Sequence, residues 1–185
     1  EEIKLCKEFS EAVDTSFYSK RNQFSEEKRI KDSFVGKMGE IVVYKYFQEK
    51  GIELSYPDTK IYSKKEKSWA ADLSNTEYNI HVKTQDLESG KRYGISWMFQ
   101  SGSFGHKDKE IFNPSEKDYL ALVSFDFALK SGEIKALFPV KDAHEKKLFK
   151  EPKLDKLKGN KVAIYYDDVN EGFIKLWWLF CTFFF

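Results

Sequence analysis

Two short stretches of the chain place an acid, a histidine and a lysine where they could act together. Asp72 lies in the stretch Trp69 to Ser74, and His81 and Lys83 lie in the stretch Tyr78 to Gln85. His81 and Lys83 are two residues apart, so in a strand they share one face. A carboxylate binds a hard divalent cation, and a nearby lysine can orient the attacking water and stabilise charge on a phosphate. These residue types suit phosphodiester cleavage.

The relative positions of the three residues depend on a hairpin between the two stretches. If Ser74 pairs with Asn79, Asp72 falls opposite His81, because antiparallel partners keep a constant sum of residue numbers. The Cβ atoms of such a pair lie about 5 Å apart. A register shifted by one residue would put Asp72 on the other face, and no Asn-Gly turn fixes the register. We predict that Asp72, His81 and Lys83 lie together on one face of the hairpin.

A helix is predicted before these strands, from Ser33 to Lys50. Its apolar residues surround most of the circumference, and Gly51 is a common residue at a helix C-terminus. We expect this helix to be largely buried, so that Glu40 needs a partner. A glutamate that reaches solvent at the edge of the helix is the alternative.

The pattern of an acid in one strand and acid-any-lysine about ten residues later resembles the PD-(D/E)XK nuclease superfamily, which has the restriction-endonuclease-like fold. In that superfamily a preceding helix often carries a glutamate in a pattern like Gly-x-x-Gly-Glu, and Gly36 to Glu40 match it. The resemblance implies that Glu40 and Asp72 are metal ligands and that Lys83 is the catalytic lysine. It also implies that Gln85 is an accessory polar group.

The chain departs from the superfamily pattern at two positions within the resemblance, which covers roughly residues 33 to 100. His81 stands where a second acid is expected, and histidine suits Mn²⁺ or Zn²⁺ better than Mg²⁺. No proline precedes Asp72, and the only Pro-Asp pair is Pro57-Asp58. We favour Asp72 over Asp58 because Asp72 adjoins the hairpin. The implied metal site is Asp72, Glu40 and His81, with Mg²⁺ as cofactor and Mn²⁺ as the alternative.

The polar loop from Gln100 to Lys109 follows a predicted strand and could reach a phosphate backbone. It is not a P-loop, because it lacks the Gly-Lys-Ser/Thr ending. An ordinary surface loop without a function is the alternative. The residues predicted to contact DNA are Lys37, Gln100, Ser101, Ser103, His106 and Lys107.

The order of elements predicts a mixed α/β (α+β) fold, with a central mixed sheet flanked by helices as in restriction endonucleases. With 185 residues we expect one domain, made of a helical N-terminal extension (1–32), a core (33–175) and an apolar tail (176–185). A short helix is expected near Asp142 to Phe149. The predicted strands are Glu53 to Tyr56, Trp69 to Ser74, Tyr78 to Gln85, Tyr93 to Phe99, Tyr119 to Phe125, Ile134 to Val140 and Lys161 to Tyr166. Breaks are expected at Asn75, Ser89-Gly90, Asn113-Pro114, Ser131-Gly132 and Gly159-Asn160.

The charge balance does not by itself indicate a polyanion partner. Lysine and arginine total 31 against 30 acidic residues, so a nucleic-acid surface requires local segregation of the basic residues. Runs of lysines that could provide it, or could be plain solvated surface, are Lys60, Lys64, Lys65 and Lys67; Lys146, Lys147 and Lys150; and Lys153, Lys156, Lys158 and Lys161.

Cys6 and Cys181 have no metal-ligand spacing around them, so we expect a reduced, intracellular and cytoplasmic protein. No signal peptide is recognised, and no apolar run has the roughly 20 residues needed to cross a bilayer. The apolar run from Leu176 to Phe185 is about half that length. It is expected to be a buried last strand or an oligomer contact.

The functional hypothesis is a metal-dependent DNA endonuclease, a phosphodiester hydrolase most similar to a type II restriction enzyme or a homing-type endonuclease. Such enzymes commonly act as homodimers, because cutting two strands requires two sites. One alternative is an inactive nucleic-acid-binding or assembly module on the same fold. Others are a protein-interaction domain that uses the C-terminal run, and a nuclease that acts on RNA.

Overall fold

Six helices, a single 3₁₀ turn and seven strands make up the part of the chain that the structure describes. The structure is a computed structural model, and it describes residues 1–13, 25–62, 71–102, 108–170 and 182–184. The helices are α1 (Glu2–Ala12), α2 (Glu26–Glu49), α3 (Leu87–Tyr93), α4 (Lys109–Phe112), α5 (Val140–Glu145) and α6 (Tyr166–Asn170), and the 3₁₀ turn is Asp155–Leu157. The strands are β1 (Leu73–Ser74), β2 (Asn79–Asp86), β3 (Ser96–Gln100), β4 (Asp118–Asp126), β5 (Ser131–Pro139), β6 (Lys161–Tyr165) and β7 (Thr182–Phe184).

The strands form two sheets rather than the single sheet that the sequence predicts. The larger has the order β1-β2-β4-β5-β7, in which β2 and β4 are parallel and the other neighbours antiparallel. β3 pairs with β6 in a separate antiparallel sheet. The coarser prediction is confirmed, since the fold is mixed α+β with a mixed sheet flanked by helices.

Helix α2 starts earlier than predicted because the sequence provides a cap at Ser25. The Ser25 side chain accepts a hydrogen bond from the backbone N–H of Lys28, and Glu26 and Glu27 occupy the positively polarised first turn. The helix ends before Gly51, whose φ of 72° suits glycine. The predicted boundary at residue 33 was therefore wrong.

One face of the larger sheet is covered by α2. Val42 and Phe47 belong to a buried cluster with Ile80 of β2. The helix approaches β2 so closely that a Cβ atom on Gly39 would lie 1.8 Å from Oγ1 of Thr84. A glycine is required at this contact, which fixes the residue that follows it, Glu40, beside β2.

The other face of this sheet is covered by the two-stranded sheet. Trp97 and Phe99 of β3 pack in one cluster with Leu120 and Leu122 of β4. The indole N–H of Trp97 donates to the carbonyl of Val123 at 2.8 Å. In the parallel register His81 is the partner of Leu120, and Lys83 is the partner of Leu122. His81 and Lys83 therefore project on the same face as these two leucines, which is opposite α2.

Four predicted strands differ in the structure. The strand predicted from Ile134 begins at Ser131, so the Ser131-Gly132 pair expected to be a break lies within β5. Glu53 to Tyr56 is not a strand, although Ser55 N–H donates to the Ser74 carbonyl at 2.7 Å beside β1. The strand predicted from Tyr93 begins at Ser96, because Leu87–Tyr93 form α3, which contains the Ser89-Gly90 pair expected to be a break. The strand predicted from Trp69 starts outside the described residues and is seen only as β1.

Elements at both ends of the chain join this architecture. Cys6 of α1 is fully buried, and burial raises the pKa of its thiol to about 12. β7, in the apolar C-terminal run, pairs with β5, as a last strand would. Within the described ranges, no helix combines the length and the apolar character needed to cross a bilayer.

Candidate active site

The hairpin that carries Asp72 and His81 has the register that the sequence predicts. Leu73 pairs with Ile80 and Ser74 with Asn79, so Asp72 is level with His81. The Asp72 side chain, however, accepts a hydrogen bond from the backbone N–H of Val82 at 2.7 Å. Backbone N–H groups of a strand lie in the plane of the sheet and point sideways, toward the position of a neighbouring strand. Asp72 thus lies at the exposed edge of β2, past the end of β1, rather than over the face that carries His81.

Glu40 is nearly buried and interacts with Asp72 through charge. It is only 9% exposed. Burial raises the pKa of Glu40 to about 8, and the negative charge of Asp72 is the second cause of this shift. The ammonium of Lys37 opposes this shift from 2.7 Å. The charges of two acids from different elements therefore interact near β2, one acid on α2 and one on the hairpin.

Lys37 lies inside this cluster and not on the surface expected of a DNA contact. It is 9% exposed, and its Nζ donates to Oε2 of Glu40 and, at 2.8 Å, to the backbone carbonyl of Asp58. A lysine held in this way cannot reach a phosphate without breaking both hydrogen bonds.

Asp58, the alternative to Asp72 in the sequence pattern, belongs to the same neighbourhood. Its carboxylate accepts hydrogen bonds from Lys60 N–H and from the Tyr62 hydroxyl. Burial acts to raise the pKa of Asp58, but these hydrogen bonds outweigh burial and hold the pKa below its usual value. The charge of Asp58 also raises the pKa of Glu40, but by less than that of Asp72 does. Of the two acids, Asp72 has the stronger effect on the pKa of Glu40.

His81 is held by an aspartate that the sequence did not reveal. Nε2 of His81 is 3.0 Å from Oδ1 of Asp118, and each side chain is 10% exposed. Asp118 also accepts from Asn79 Nδ2 and from Ser115 N–H. Burial acts to raise the pKa of Asp118, but the hydrogen bonds from His81, Ser115 and Asn79 outweigh burial and lower the pKa. One ring nitrogen of His81 is therefore already bound to Asp118.

Lys83 also has a partner that the sequence did not reveal. Its Nζ lies 3.2 Å from Oδ2 of Asp108, whose side chain is 8% exposed. The same oxygen accepts the backbone N–H of Gln100, and Asp108 N–H donates to the Gln100 carbonyl. Asp108 thus closes the base of the polar loop and holds the lysine beside it. In the sequence, the only sign of this partner was an acidic residue near the end of a polar loop.

The other residues predicted to act in catalysis or to contact DNA are not grouped with Glu40 and Asp72 in the described structure. Both ends of the Gln85 amide are used, because Nε2 donates to Gly94 O and Oε1 accepts from Ser96 N–H, so Gln85 positions the start of β3. Ser101 N–H donates to the Asn160 carbonyl. The predicted DNA contacts Ser103, His106 and Lys107 lie outside the described residues.

The chemistry of the site has to be derived from its own residues. No family model, curated protein or solved structure matches this chain. In the part of the chain that the structure describes, no three His, Cys, Asp or Glu side chains are grouped so that they could hold a metal ion. Mg²⁺ does not require such a cage, because it is commonly bound by one or two carboxylates together with water and substrate phosphates.

The side chains near the edge of β2 include donor atoms of the kind that a hard divalent cation prefers. Glu40 and Asp72 offer carboxylate oxygens, and the raised pKa of Glu40 reflects a buried charge with a second negative charge nearby. A bound cation would relieve that repulsion. Lys83 lies on β2, and its side chain is 31% exposed.

Proposed function

We propose that this chain is a metal-dependent endonuclease that hydrolyses DNA phosphodiester bonds on a restriction-endonuclease-like fold. The observation that carries the proposal is that Asp72 lies level with His81 beside β2, with the nearly buried Glu40 on the helix packed against that strand. The charge of Asp72 raises the pKa of Glu40, and Lys83 lies on the same strand, on the face opposite α2. The order of these residues along helix, hairpin and strand is the order in the PD-(D/E)XK pattern. Type II restriction and homing-type endonucleases are the enzymes of this kind that the chain most resembles.

Each residue has a distinct role in the proposed reaction. Glu40 and Asp72 would hold Mg²⁺ or Mn²⁺, which when bound polarises the phosphate and lowers the pKa of a coordinated water. Lys83 would stabilise the negative charge that develops on the phosphate, with Asp108 fixing the direction of its amine. We include a homodimer in the proposal, because cleavage of both DNA strands requires two such sites.

A cleavage assay with matched variants tests the proposal. Purified protein should nick or cut plasmid DNA with Mg²⁺ or Mn²⁺, and Asp72→Ala or Lys83→Ala should abolish cleavage. Asp126→Ala is the control for Asp72, because Asp126 also accepts backbone N–H groups, those of Ala128 and Leu129. Lys135→Ala is the control for Lys83, since Lys135 also pairs with a carboxylate, that of Glu133. Full cleavage by both site variants would refute the proposal.

A second candidate function is DNA binding without cleavage. It is favoured by one observation, which is that each basic group of the site is already paired within the protein: Lys37 with Glu40, His81 with Asp118 and Lys83 with Asp108. This candidate predicts DNA binding that needs no metal, and no cleavage with Mg²⁺, Mn²⁺ or Zn²⁺.

A further inference from the structure

Positive charge is concentrated in two short segments of the chain. One of them, residues 60–67, contains four lysines and one acidic residue and lies mostly outside the described residues. The other, residues 146–161, contains seven lysines and two acidic residues, a net charge of +5, whereas the whole chain has a net charge of +1. The remainder therefore has a net charge of −4. A polyanion that binds this protein therefore meets favourable charge in this segment, although the rest of the chain is net negative.

The segment is held against the two-stranded sheet. Lys150 exchanges two backbone hydrogen bonds with Ala163 of β6, each of 2.8 Å. Three residues on, the N–H of Lys153 donates to the Tyr165 hydroxyl at 2.7 Å. The 3₁₀ turn Asp155–Leu157 then leads into β6. The lysines are thus carried by a backbone with fixed contacts.

The lysines of the segment differ in whether an acid neutralises them. Lys150 pairs with Asp168 and Lys158 with Asp155. Lys147, Lys153 and Lys156 are exposed and have no acidic partner among the described residues. We name these three the lysine surface. A phosphate that binds them does not have to displace a carboxylate.

The segment that carries the lysine surface ends beside Gln100, where the polar loop begins. Lys161, at the end of the segment, pairs with Gln100 in the register of β3 and β6. Gln100 in turn is hydrogen-bonded to Asp108, the residue that holds Lys83. A continuous series of backbone and side-chain contacts therefore connects the segment to the catalytic lysine of the proposed reaction.

We propose that the lysine surface binds the sugar-phosphate backbone of the nucleic acid that enters the candidate active site. The identity of that nucleic acid as DNA rests on the proposed function. Exposed amines without carboxylate partners release counterions from the phosphates that they neutralise, which gives affinity without sequence preference. The surface provides affinity and positioning, while Lys83 and the two acids act at the scissile bond.

The test measures binding without cleavage. Labelled duplex DNA is titrated with protein in EDTA at several salt concentrations, and fluorescence anisotropy gives the dissociation constant. The test variant is Lys147→Gln, Lys153→Gln and Lys156→Gln together. The control is Lys4→Gln, Lys28→Gln and Lys91→Gln, which makes the same charge change at exposed lysines that have acidic partners.

The test variant should lose affinity on the order of a hundredfold near 0.1 M salt, and the slope of log K against log salt should shrink by roughly 2 to 3. The control should bind as the wild type does. The corresponding triple Lys→Arg variant should also retain affinity, because it keeps the charge.

Three results would overturn the inference: no binding by the wild type at low salt, unchanged binding by the test variant, or an equal loss in the control. Single-stranded RNA and DNA of equal length, run in parallel, show which nucleic acid is preferred. Binding through these lysines with no cleavage in Mg²⁺ or Mn²⁺ would refute the endonuclease and leave the surface in place. Cleavage by the test variant with an unchanged KM would refute the role of the lysine surface and leave the endonuclease proposal in place.

Discussion

Lys37 and Glu40 form an ion pair inside the protein, with Nζ 2.7 Å from Oε2 and side chains that are 10% and 12% exposed. The two residues lie one turn apart on α2, and Lys37 also bonds to the Asp58 carbonyl. The pair thus ties the helix to the segment before the hairpin. It also places a positive charge beside the acid that is proposed to bind metal.

Lys37→Met should destabilise the protein by about 1–3 kcal/mol, because the buried Glu40 carboxyl loses its hydrogen-bond partner and, with a pKa of about 8, stays mostly protonated at pH 7.5. Urea unfolding at pH 7.5 measures the change. The double variant Lys37→Met/Glu40→Leu should recover most of the loss. Lys135→Met, which breaks the more exposed Lys135–Glu133 pair, is the matched control and should cost less. A loss below about 1 kcal/mol in Lys37→Met would contradict the prediction, because that is the range of exposed ion pairs.

The free energy of unfolding should fall as the pH rises from about 4.5 to about 8. Glu40 has its pKa raised from 4.5 to about 8 in the folded protein, so between these values the native state binds a proton that the unfolded state has lost. Above this range the contribution is constant. Glu40→Gln should remove most of this slope, which unfolding curves measured across the range would show. An unchanged slope in Glu40→Gln would rule out Glu40 as its source.

Two glycines of α2 should respond in opposite ways to the same substitution. Gly39→Ala should destabilise by about 1–3 kcal/mol, because the new Cβ would lie 1.8 Å from Thr84 Oγ1 and 2.8 Å from Thr84 Cβ. Rotation of the threonine cannot relieve the contact with its Cβ. Gly36→Ala meets no atom within 4 Å and should stabilise the helix by about 0.5–1 kcal/mol. Thermal unfolding compares the two variants, and equal effects would mean that the helix does not approach β2 at Gly39.

Asp118→Asn should destabilise by about 1–3 kcal/mol near neutral pH, because Asp118 accepts hydrogen bonds from His81, Asn79 and Ser115. The pKa of Asp118 is below its usual value of 3.8, so its stabilising effect is present above that value and is lost as the pH falls through the folded-state pKa. The unfolding free energies of the variant and the wild type should therefore converge in strong acid. Asp126→Asn is a control with an exposed acceptor. A constant difference at every pH would indicate that the charge of Asp118 is not involved.

The local features of the site could be predicted from the sequence because they depend on neighbours along the chain. The hairpin register follows from where the two strands end and from the length of the turn between Ser74 and Asn79, so Asp72 was placed level with His81. The burial of α2 follows from its apolar residues, and this is what makes Glu40 a nearly buried acid. The Ser25 cap is also visible in the sequence, but the stronger apolar pattern after Ser33 masked it.

The partners of these residues were decided only by the tertiary structure. Asp118 meets His81 because β2 and β4 pair in parallel across a separation of 37 residues, and Asp108 meets Lys83 because β3 returns the chain to that face. The inward position of Lys37 depends on the Asp58 carbonyl, which lies 21 residues away. Such pairings arise from packing between distant segments, which no local spacing encodes. The sequence by itself determined which groups could do chemistry, and the fold decided which charges each of them meets.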